Sequence, residues 1–487
     1  MVKRKKSTFE RLSGARMNRQ QRRKLGRRLA GKDPGLTIVN ANAGGIDVGN
    51  ASHFVAVPAD RDSNPVQEFG CWTADLKRMA EWLQACRIDT VAIQATGVYS
   101  IALYDILTQH KIRVVLVNAQ HTKNVPGRKS DVQECQWLMK LHTYGLLRDS
   151  FRLAENMEAV RSIWRLRDRH VKEASRAIQH MQKALTRMNI QLANAIRDIT
   201  GVSGLAIIAA ILKGERDPCK LADLRDKRVK ATREEVARSL EGNWREDLLF
   251  ELGQALQSYH FAHQLMRECD GKLEGYLANL PTRMLEVPGG PEIAPVAAPK
   301  KVCKTKKTKK PRGNEPTLDL KTELKRICGV DLTSIDGIDV ITAQTIVSEI
   351  GADTSGFSTE HHFASWLGLT PSKDISGGKV IGPGRRKVQN RVAMALRIAA
   401  TTLLKSGSYL GARYRHLRRQ LPSHKAAVKA MARYLAVLVY RMLTHGEAWV
   451  DRGAAQFEQK RTDRELASLK SRALARGFQL TPLAAAG

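Results

Sequence analysis

The chain has 487 residues, a length that at about 150 residues per domain predicts roughly three domains with buried cores. Lysine and arginine number 81 and aspartate and glutamate 48, which gives a formal net charge of +33. Such an excess adds self-repulsion to a folded protein, so it indicates a polyanionic partner, either nucleic acid or an anionic membrane surface. The chain has no run of about 18 uncharged apolar residues and no apolar segment behind its basic start. We therefore expect neither a transmembrane span nor a secretory signal, and nucleic acid is the preferred partner.

Cysteine usage excludes two further classes of protein. The seven cysteines form no C-x-x-C pair and show no metal-ligand spacing. An odd, scattered set indicates free thiols in a reducing cytoplasm, without structural zinc or a disulfide framework. A hydrophobic content of 43% with few aromatic residues favours a folded, helix-rich protein over a disordered polycation.

Residues 1–36 are predicted to be a basic arm that ends near Pro34-Gly35. The segment contains basic clusters such as Arg22-Arg23-Lys24 but only two acidic residues, Glu10 and Asp33. The arm is either a solvated, disordered tail or a segment that contacts nucleic acid, and the sequence leaves both readings open.

Residues 37–150 are predicted to be an α/β domain. Short β-rich runs alternate with helical stretches of about ten residues, which implies a sheet with at least some parallel pairing. The predicted elements are a hairpin opened by residues 44–50 with its second run at 53–57, helices around 76–85, 99–109 and 130–143, and strands at 90–93 and 113–117.

Residues 151–285 are predicted to be a helical domain with a coiled-coil face. Apolar residues recur every seven positions along a first stretch and again along a second one. The first seam contains Val171, Ile178, Leu185 and Leu192 at one position with Ala174, Met181 and Met188 at the other, and the second contains Leu252, Tyr259, Met266, Leu273 and Leu280. The two stretches form either an antiparallel intrachain hairpin or a contact between copies of the chain.

The last third of the chain divides into three predicted segments. Residues 286–318 are a basic linker, in which eight of the thirteen residues 300–312 are lysine or arginine. Residues 319–450 are predicted to be helical, interrupted by a glycine-rich loop at 376–384, and residues 451–487 are a charged peripheral tail.

Three acidic residues form the first candidate chemical site. Asp47 follows an apolar residue in the first predicted strand, and its flanking glycines are expected to leave room for a bulky ligand. Asp131 and Glu134 lie on one face of a later helix because they are three residues apart. Carboxylates that converge from a strand and a helix suit two Mg²⁺ ions acting on a phosphodiester. Taken singly, an acid in such a place is more often a surface charge or a helix cap.

Ser376 is the second candidate, in the run Ile375-Ser376-Gly377-Gly378-Lys379. Glycines let a backbone approach phosphate closely, and a serine oxygen is a nucleophile when a base or metal assists its deprotonation. The cations expected to stabilise the developing charge are Lys379, Arg385, Arg386 and Lys387. From spacing alone the run is also an ordinary turn, and Ser372 is the fallback nucleophile.

Several runs, in order along residues 40–475, resemble the DEDD transposases of bacterial insertion sequences, family 110, and in particular its subgroup 1111. The runs are Gly45-Ile46-Asp47-Val48-Gly49, Ala95-Thr96-Gly97-Val98-Tyr99, Gly127-Arg128-Lys129-Ser130-Asp131, Leu141-His142-Thr143-Tyr144-Gly145, Gly214-Glu215-Arg216-Asp217-Pro218, Pro371-Ser372-Lys373, the serine run above, and Gly411-Ala412-Arg413-Tyr414-Arg415.

The resemblance implies a fold and a set of partners. The fold is an N-terminal RuvC-like domain of ribonuclease-H type, a coiled-coil spacer and a mostly helical C-terminal transposase domain with a catalytic serine. The partners are a noncoding bridge RNA, target and donor double-stranded DNA, and further copies of the chain as a dimer or a tetramer on DNA. Mg²⁺, as two ions, is the implied cofactor, Arg128 and Lys129 are implied nucleic-acid contacts, and the implied setting is a bacterial cytoplasm at the nucleoid.

The family's four acidic positions fall on Asp47, Gln94, Asp131 and Glu134. Glutamate at 134 in place of aspartate keeps the charge on a longer arm. Gln94 stands where the family often has glutamate, and its amide oxygen can ligate Mg²⁺ without contributing charge. Either the site works with three carboxylates or the glutamine is an inactivating substitution.

Three functions therefore remain at this point. The first is an RNA-guided recombinase in which Ser376 forms a covalent link to DNA. The second is a RuvC-like nuclease that uses metal-activated water and needs no serine. The third is a non-catalytic RNA- or DNA-binding relative, which Gln94 keeps open.

Overall fold

The computed structural model describes residues 36–94, 97–118, 130–283, 314–377, 379–384, 390–446 and 453–481. The basic arm, Arg128, Lys129, most of the basic linker and the cluster Arg385–Lys387 lie outside these ranges. The chain divides into two units according to which Cα atoms lie close together in space. The first unit comprises the residues up to Arg152 together with Ile375–Lys379, and the second comprises the remaining residues.

A five-stranded mixed sheet is the centre of the first unit. Its strands are β1 (Ala43–Val48), β2 (Ser52–Ala56), β3 (Val66–Gly70), β4 (Thr90–Gln94) and β5 (Arg113–Val117), in the order β3-β2-β1-β4-β5. Strands β1, β2 and β3 pair antiparallel, whereas β1, β4 and β5 pair parallel. The predicted sheet with partial parallel pairing is confirmed. β3 was not predicted, because Gln67 and Glu68 on this edge strand break the apolar alternation that signals a strand.

Among the described residues, three helices cover the two faces of this sheet. They are α1 (Thr73–Ala85), α2 (Tyr99–Gln109) and α3 (Asp131–Thr143). Successive residues of a strand point to opposite faces, so Ile46 and Val48 join the apolar core that α1 and α2 close with Leu83 and Leu103. Gly45 and Asp47 belong to the other face, on which α3 packs.

Two 33-residue helices, α4 (Glu155–Arg187) and α9 (Glu246–Ala278), dominate the first part of the second unit. Ion pairs join Arg187 near the end of α4 to Glu251 near the start of α9, and Arg167 to Asp270 at the opposite ends. The helices are therefore antiparallel. Most of the predicted seam residues are buried between them, with Val171 and Ile178 partly buried, as the intrachain alternative expects. Four short helices connect the pair: α5 (Leu192–Ala195), α6 (Val202–Leu212), α7 (Pro218–Asp223) and α8 (Arg233–Ser239).

The rest of the second unit is mostly helical, as predicted. Its helices are α10 (Leu320–Cys328), α11 (Val340–Ile350), α12 (Glu360–Trp366), α13 (Arg391–Thr402), α14 (Tyr409–Gln420), α15 (His424–His445) and α16 (Gly453–Leu474), with short 3-10 turns at Leu332–Ser334 and Leu403–Lys405. The residues expected to be a peripheral tail thus contain a helix, α16, whose Phe457 is buried against Tyr409 at a ring distance of 5.3 Å.

The glycine-rich segment is a hairpin rather than the expected loop. Strand β6 (Ser372–Ser376) pairs with β7 (Lys379–Gly384), and Gly377 has a positive φ of 54° between them. A left-handed residue at this place suits glycine, which has no Cβ to clash. The β-branched residues Val380 and Ile381 favour the strand, and the glycines obscured that signal.

Candidate active site

Asp47 lies near the carboxyl end of β1, the middle strand of the sheet. Its side chain is half-buried and shares a face with Gly45, two residues earlier. A Cβ at Gly45 would lie 2.3 Å from the carbonyl oxygen of Cys135 and from the backbone nitrogen of Met139. Helix α3 therefore rests directly on β1, and the expected space for a ligand is filled by this helix. At Gly49 the carbonyl of Ser52 occupies the corresponding space, 2.4 Å from where an added methyl group would lie.

Helix α3 brings the other two acids towards Asp47. The Ser130 side chain caps the helix by accepting a hydrogen bond from the Gln133 N–H at 3.4 Å. Asp131 and Glu134 occupy the first turn, where the helix dipole favours negative charge. Asp131 lies one turn before Cys135, the residue that contacts β1, and Glu134 directly precedes Cys135. Because α3 crosses the strand at Gly45, this first turn extends over the carboxyl end of β1.

The pKa of Asp47 reflects the nearness of the other two acids. The pKa of Asp47 is raised to about 6, mainly by burial and then by the charges of Glu134 and Asp131, against a hydrogen bond from the Val48 N–H that lowers it. Like charges close together disfavour ionisation. An unusually high carboxylate pKa beside other carboxylates is typical of sites that bind a cation or move protons.

Gln94 reaches the same edge of the sheet from β4. Gly45 is in register with Ala92, and Gln94 follows two residues later, so it shares the face of Asp47. Its side chain is buried, at 7% exposure. The four positions of the predicted acidic set thus lie on one side of the sheet, two at the strand ends and two in the first turn of α3.

Histidine is a common acid–base partner of catalytic carboxylates, but two histidines of the first unit, His53 and His142, have structural positions. His142, near the end of α3, lies 2.9 Å from the Thr90 hydroxyl at the start of β4, which anchors the helix on the sheet. Burial lowers the pKa of His142 to about 4, so the ring is neutral. His53 pairs with Val48 and therefore faces the opposite side of the sheet. His121 lies outside the described residues.

The side-chain oxygens of these four residues are suitable ligands for a hard divalent cation. Carboxylate and amide oxygens are the ligands that Mg²⁺ takes, and three neighbouring carboxylates carry charge that such an ion neutralises. Within the part of the chain that the structure describes, no three His, Cys, Asp or Glu side chains are arranged to hold a metal ion. The acids are therefore neighbours without forming a closed set of ligands.

The surroundings of the serine run lie only partly within the described residues. Ser372 and Ser376 lie at the two ends of β6, Lys379 begins β7 with an exposed side chain, and the cations at 385–387 are outside the described ranges. Sequence reasoning predicted the acids and the serine as site residues, and they stay predictions. It missed the packing role of Gly45 and the Thr90–His142 anchor, since neither has a local signal.

Comparison with known proteins gives matches over two stretches of the chain. Residues 44–190 match the DEDD transposase family of IS110 elements, described as Transposase, and residues 331–415 match the family described as Transposase IS116/IS110/IS902. The chain belongs to the IS110 family of DEDD transposases. The first match contains all four positions of the acidic set, and the second contains Ser376.

A curated relative is similar to part of the chain. An insertion element IS110 uncharacterized 43.6 kDa protein of Streptomyces coelicolor is 29% identical over 128 residues. This similarity covers 26% of the chain and spans about a third, 31%, of the relative. Among the helices that the structure describes, none is both long and apolar enough to cross a membrane.

Proposed function

We propose that this protein is a metal-dependent DNA recombinase that moves an insertion sequence. The observation that carries the proposal is the convergence of Asp47, Asp131 and Glu134 at the carboxyl end of β1, seen in the raised pKa of Asp47. Family membership and the net charge of +33 support DNA as the substrate. A RuvC-like fold for the first unit belongs to the same proposal, and the mixed sheet with an acid on its middle strand supports it.

Asp47, Asp131 and Glu134 would hold Mg²⁺, as two ions, with the amide oxygen of Gln94 as a neutral ligand. When bound, such ions polarise a phosphodiester and stabilise the charge that develops on it. The protein's part is to keep these oxygens at one edge of the sheet. Helix α3 does so through its contact with Gly45 and the anchor of His142 on Thr90.

Ser376 is the proposed nucleophile. Its oxygen would form a bond to the scissile phosphorus while the bond to one deoxyribose oxygen breaks, leaving a free hydroxyl and a covalent phosphoserine link. Attack by the hydroxyl of another strand would reverse the step and join the new pair of ends. The grouping of Ile375–Lys379 with the first unit, and the exposed Lys379 three residues on, support this role.

The role of Ser376 as nucleophile is tested by isolating a protein–DNA adduct under denaturing conditions. Wild-type protein with Mg²⁺ and substrate DNA is expected to give a covalent adduct that Ser376→Ala lacks and that Ser372→Ala retains. Cleavage without an adduct would instead identify a nuclease that uses water, and an adduct lost only in Ser372→Ala would move the assignment to that residue.

A bridge RNA is the proposed source of target choice, with base pairing selecting target and donor DNA and the protein binding backbones. Sequencing the RNA that co-purifies with the protein tests this, because its loops should be complementary to the element's ends and insertion site.

A dimer, or a tetramer on DNA, is the proposed assembly. Activity of a strict monomer, independent of concentration, would contradict it.

One observation favours a second candidate, a binding protein without catalysis. The buried Gln94 gives the site one carboxylate fewer than its family pattern. Mg²⁺-dependent cleavage by the unmodified protein would dismiss this candidate, and cleavage that appears only in Gln94→Glu would establish it.

A further inference from the structure

A basic groove lies between α14 and α16, within the second unit. It encloses about 580 Å³. Phe457 of α16 is buried at its base, 5.3 Å from the ring of Tyr409 and 5.7 Å from that of His416, both on α14. These ring contacts hold the two helices together, so the groove is part of the packed structure.

One wall of the groove is lined with cations from α16. Lys460, Arg464 and Arg472 are exposed and all line the groove, and Lys460 and Arg464 are neighbours on the helix surface because they are four residues apart. Arg461 is neutralised by Glu458 at 2.8 Å and Glu465 at 3.4 Å. For the other three, the part of the chain that the structure describes provides no carboxylate within ion-pair distance. The like charges of Lys460 and Arg464, four residues apart, destabilise the helix, and a bound anion would relieve that repulsion.

Arg413 of α14 forms the opposite wall. Its guanidinium lies over the ring of Tyr434, 3.9 Å from the ring centroid. Its Nε is buried and, among the described residues, has no hydrogen-bond partner. Arg413 lines the groove, and a guanidinium binds phosphate oxygens through its paired N–H donors.

We propose that this groove binds the phosphodiester backbone of an unpaired nucleic-acid strand. The volume lies within the range of about 300–1,000 Å³ typical of small-molecule sites, which suits one or two nucleotides of a single strand. Tyr409 and His416 line the groove beside the cations, the combination by which proteins hold single strands. The inference rests on the proposed function only in taking nucleic acid as the partner. It adds a second binding surface, formed by residues of the second unit alone.

Fluorescence anisotropy with the full chain tests the groove. The probes are a labelled single-stranded RNA, a single-stranded DNA and a duplex DNA of one unrelated sequence. The test variant replaces Lys460, Arg464 and Arg472 by glutamine. A matched control replaces three exposed lysines of the same unit, Lys213, Lys227 and Lys272, and removes the same net charge.

The groove variant is expected to bind single strands at least tenfold more weakly than the control. Its slope of log K against log salt should fall by about 2, since each phosphate contact with a single strand contributes roughly 0.7. The strand that loses more affinity, RNA or DNA, identifies the natural ligand. Equal binding by groove variant and control, or an equal loss on duplex DNA, would overturn the proposal.

The assay separates this inference from the proposed chemistry. Ser376→Ala is expected to bind single strands as the wild type does, because binding requires no strand cleavage. Circular dichroism and melting temperature verify that both triple variants are folded, which is expected since all six side chains are exposed.

Discussion

The backbone of Cys135 lies against Gly45 so closely that a methyl group at residue 45 would be 2.3 Å from the Cys135 carbonyl oxygen. Real Cβ atoms do not approach backbone atoms to that distance, so any other residue at 45 must displace helix α3. Asp131 and Glu134 lie on this helix. The distance between sheet and helix therefore sets how near these acids are to Asp47, and a glycine two residues from Asp47 determines it.

Gly45→Ala is accordingly expected to destabilise the first unit by about 1–3 kcal/mol, the usual cost of overpacking. Hydrogen exchange measured by mass spectrometry should show faster exchange in peptides covering residues 131–143. DNA cleavage should fall as well, since the acids move away from Asp47. Gly271→Ala in α9 is the control, because nothing lies within 4 Å of its added methyl. Unchanged protection of α3 in Gly45→Ala would show that the helix does not depend on this contact.

The raised pKa of Asp47 predicts a pH-dependent effect of Asp47→Asn. The folded protein holds the Asp47 proton up to about pH 6, whereas the unfolded chain releases it near 3.8. Ionised Asp47 thus lowers stability as pH rises from about 4 to above 6. The amide of the Asp47→Asn variant escapes this loss, so that variant should melt at a higher temperature than the wild type at pH 8 and at the same temperature at pH 4. Melting curves from pH 4 to 8 without divalent metal measure it, and a pH-independent gain would argue against a raised pKa at this position.

Gln94→Glu adds a fourth carboxylate to the face that carries Asp47. Without metal, the extra charge should lower the melting temperature at pH 8, because like charges repel across the strand ends. Calorimetry should show tighter Mg²⁺ binding than in the wild type, since an anionic oxygen replaces a neutral one. Gln136→Glu is the matched control, an exposed position of α3 with the same change in charge. Equal Mg²⁺ affinity in both variants would exclude residue 94 as a ligand.

Local sequence signals predicted most of the sheet and its helices, and α2 and β5 have the expected bounds. Those elements have strong apolar runs or periodicity, which is what sequence reasoning uses. Strand β3 and the hairpin β6–β7 lack them, because Glu68 and the glycines weaken the pattern although tertiary pairing stabilises the strands.

The candidate acids were found by residue type and spacing, while the contacts that position them were not. The glycine at residue 45 suggested free space next to Asp47. In the fold, helix α3 occupies that space. The partnership of Thr90 with His142 joins residues 52 positions apart, and no local pattern encodes it. Long-range packing is therefore the part of the site that required a structure.

The long helices α4 and α9 provide a comparison between two ion pairs of the same antiparallel contact. Arg167 and Asp270 are buried, with side-chain exposures of 5% and 2% and a separation of 2.5 Å, whereas Arg187 and Glu251 at the other end are about half exposed. Removing one member of a buried pair leaves an uncompensated charge, which typically costs about 3–5 kcal/mol. Asp270→Ala should therefore lower the stability of the second unit strongly. Glu251→Ala should change it by at most about 1 kcal/mol, because water screens the exposed pair.

Urea unfolding of the two variants, followed by circular dichroism, measures this difference. Replacing both Arg167 and Asp270 by apolar residues of similar size should restore much of the loss, since no buried charge then remains. Equal effects of Asp270→Ala and Glu251→Ala would mean that water reaches Arg167 and Asp270 as freely as the outer pair. The helices would then separate at that end in solution, and the binding surfaces of the second unit would move with them.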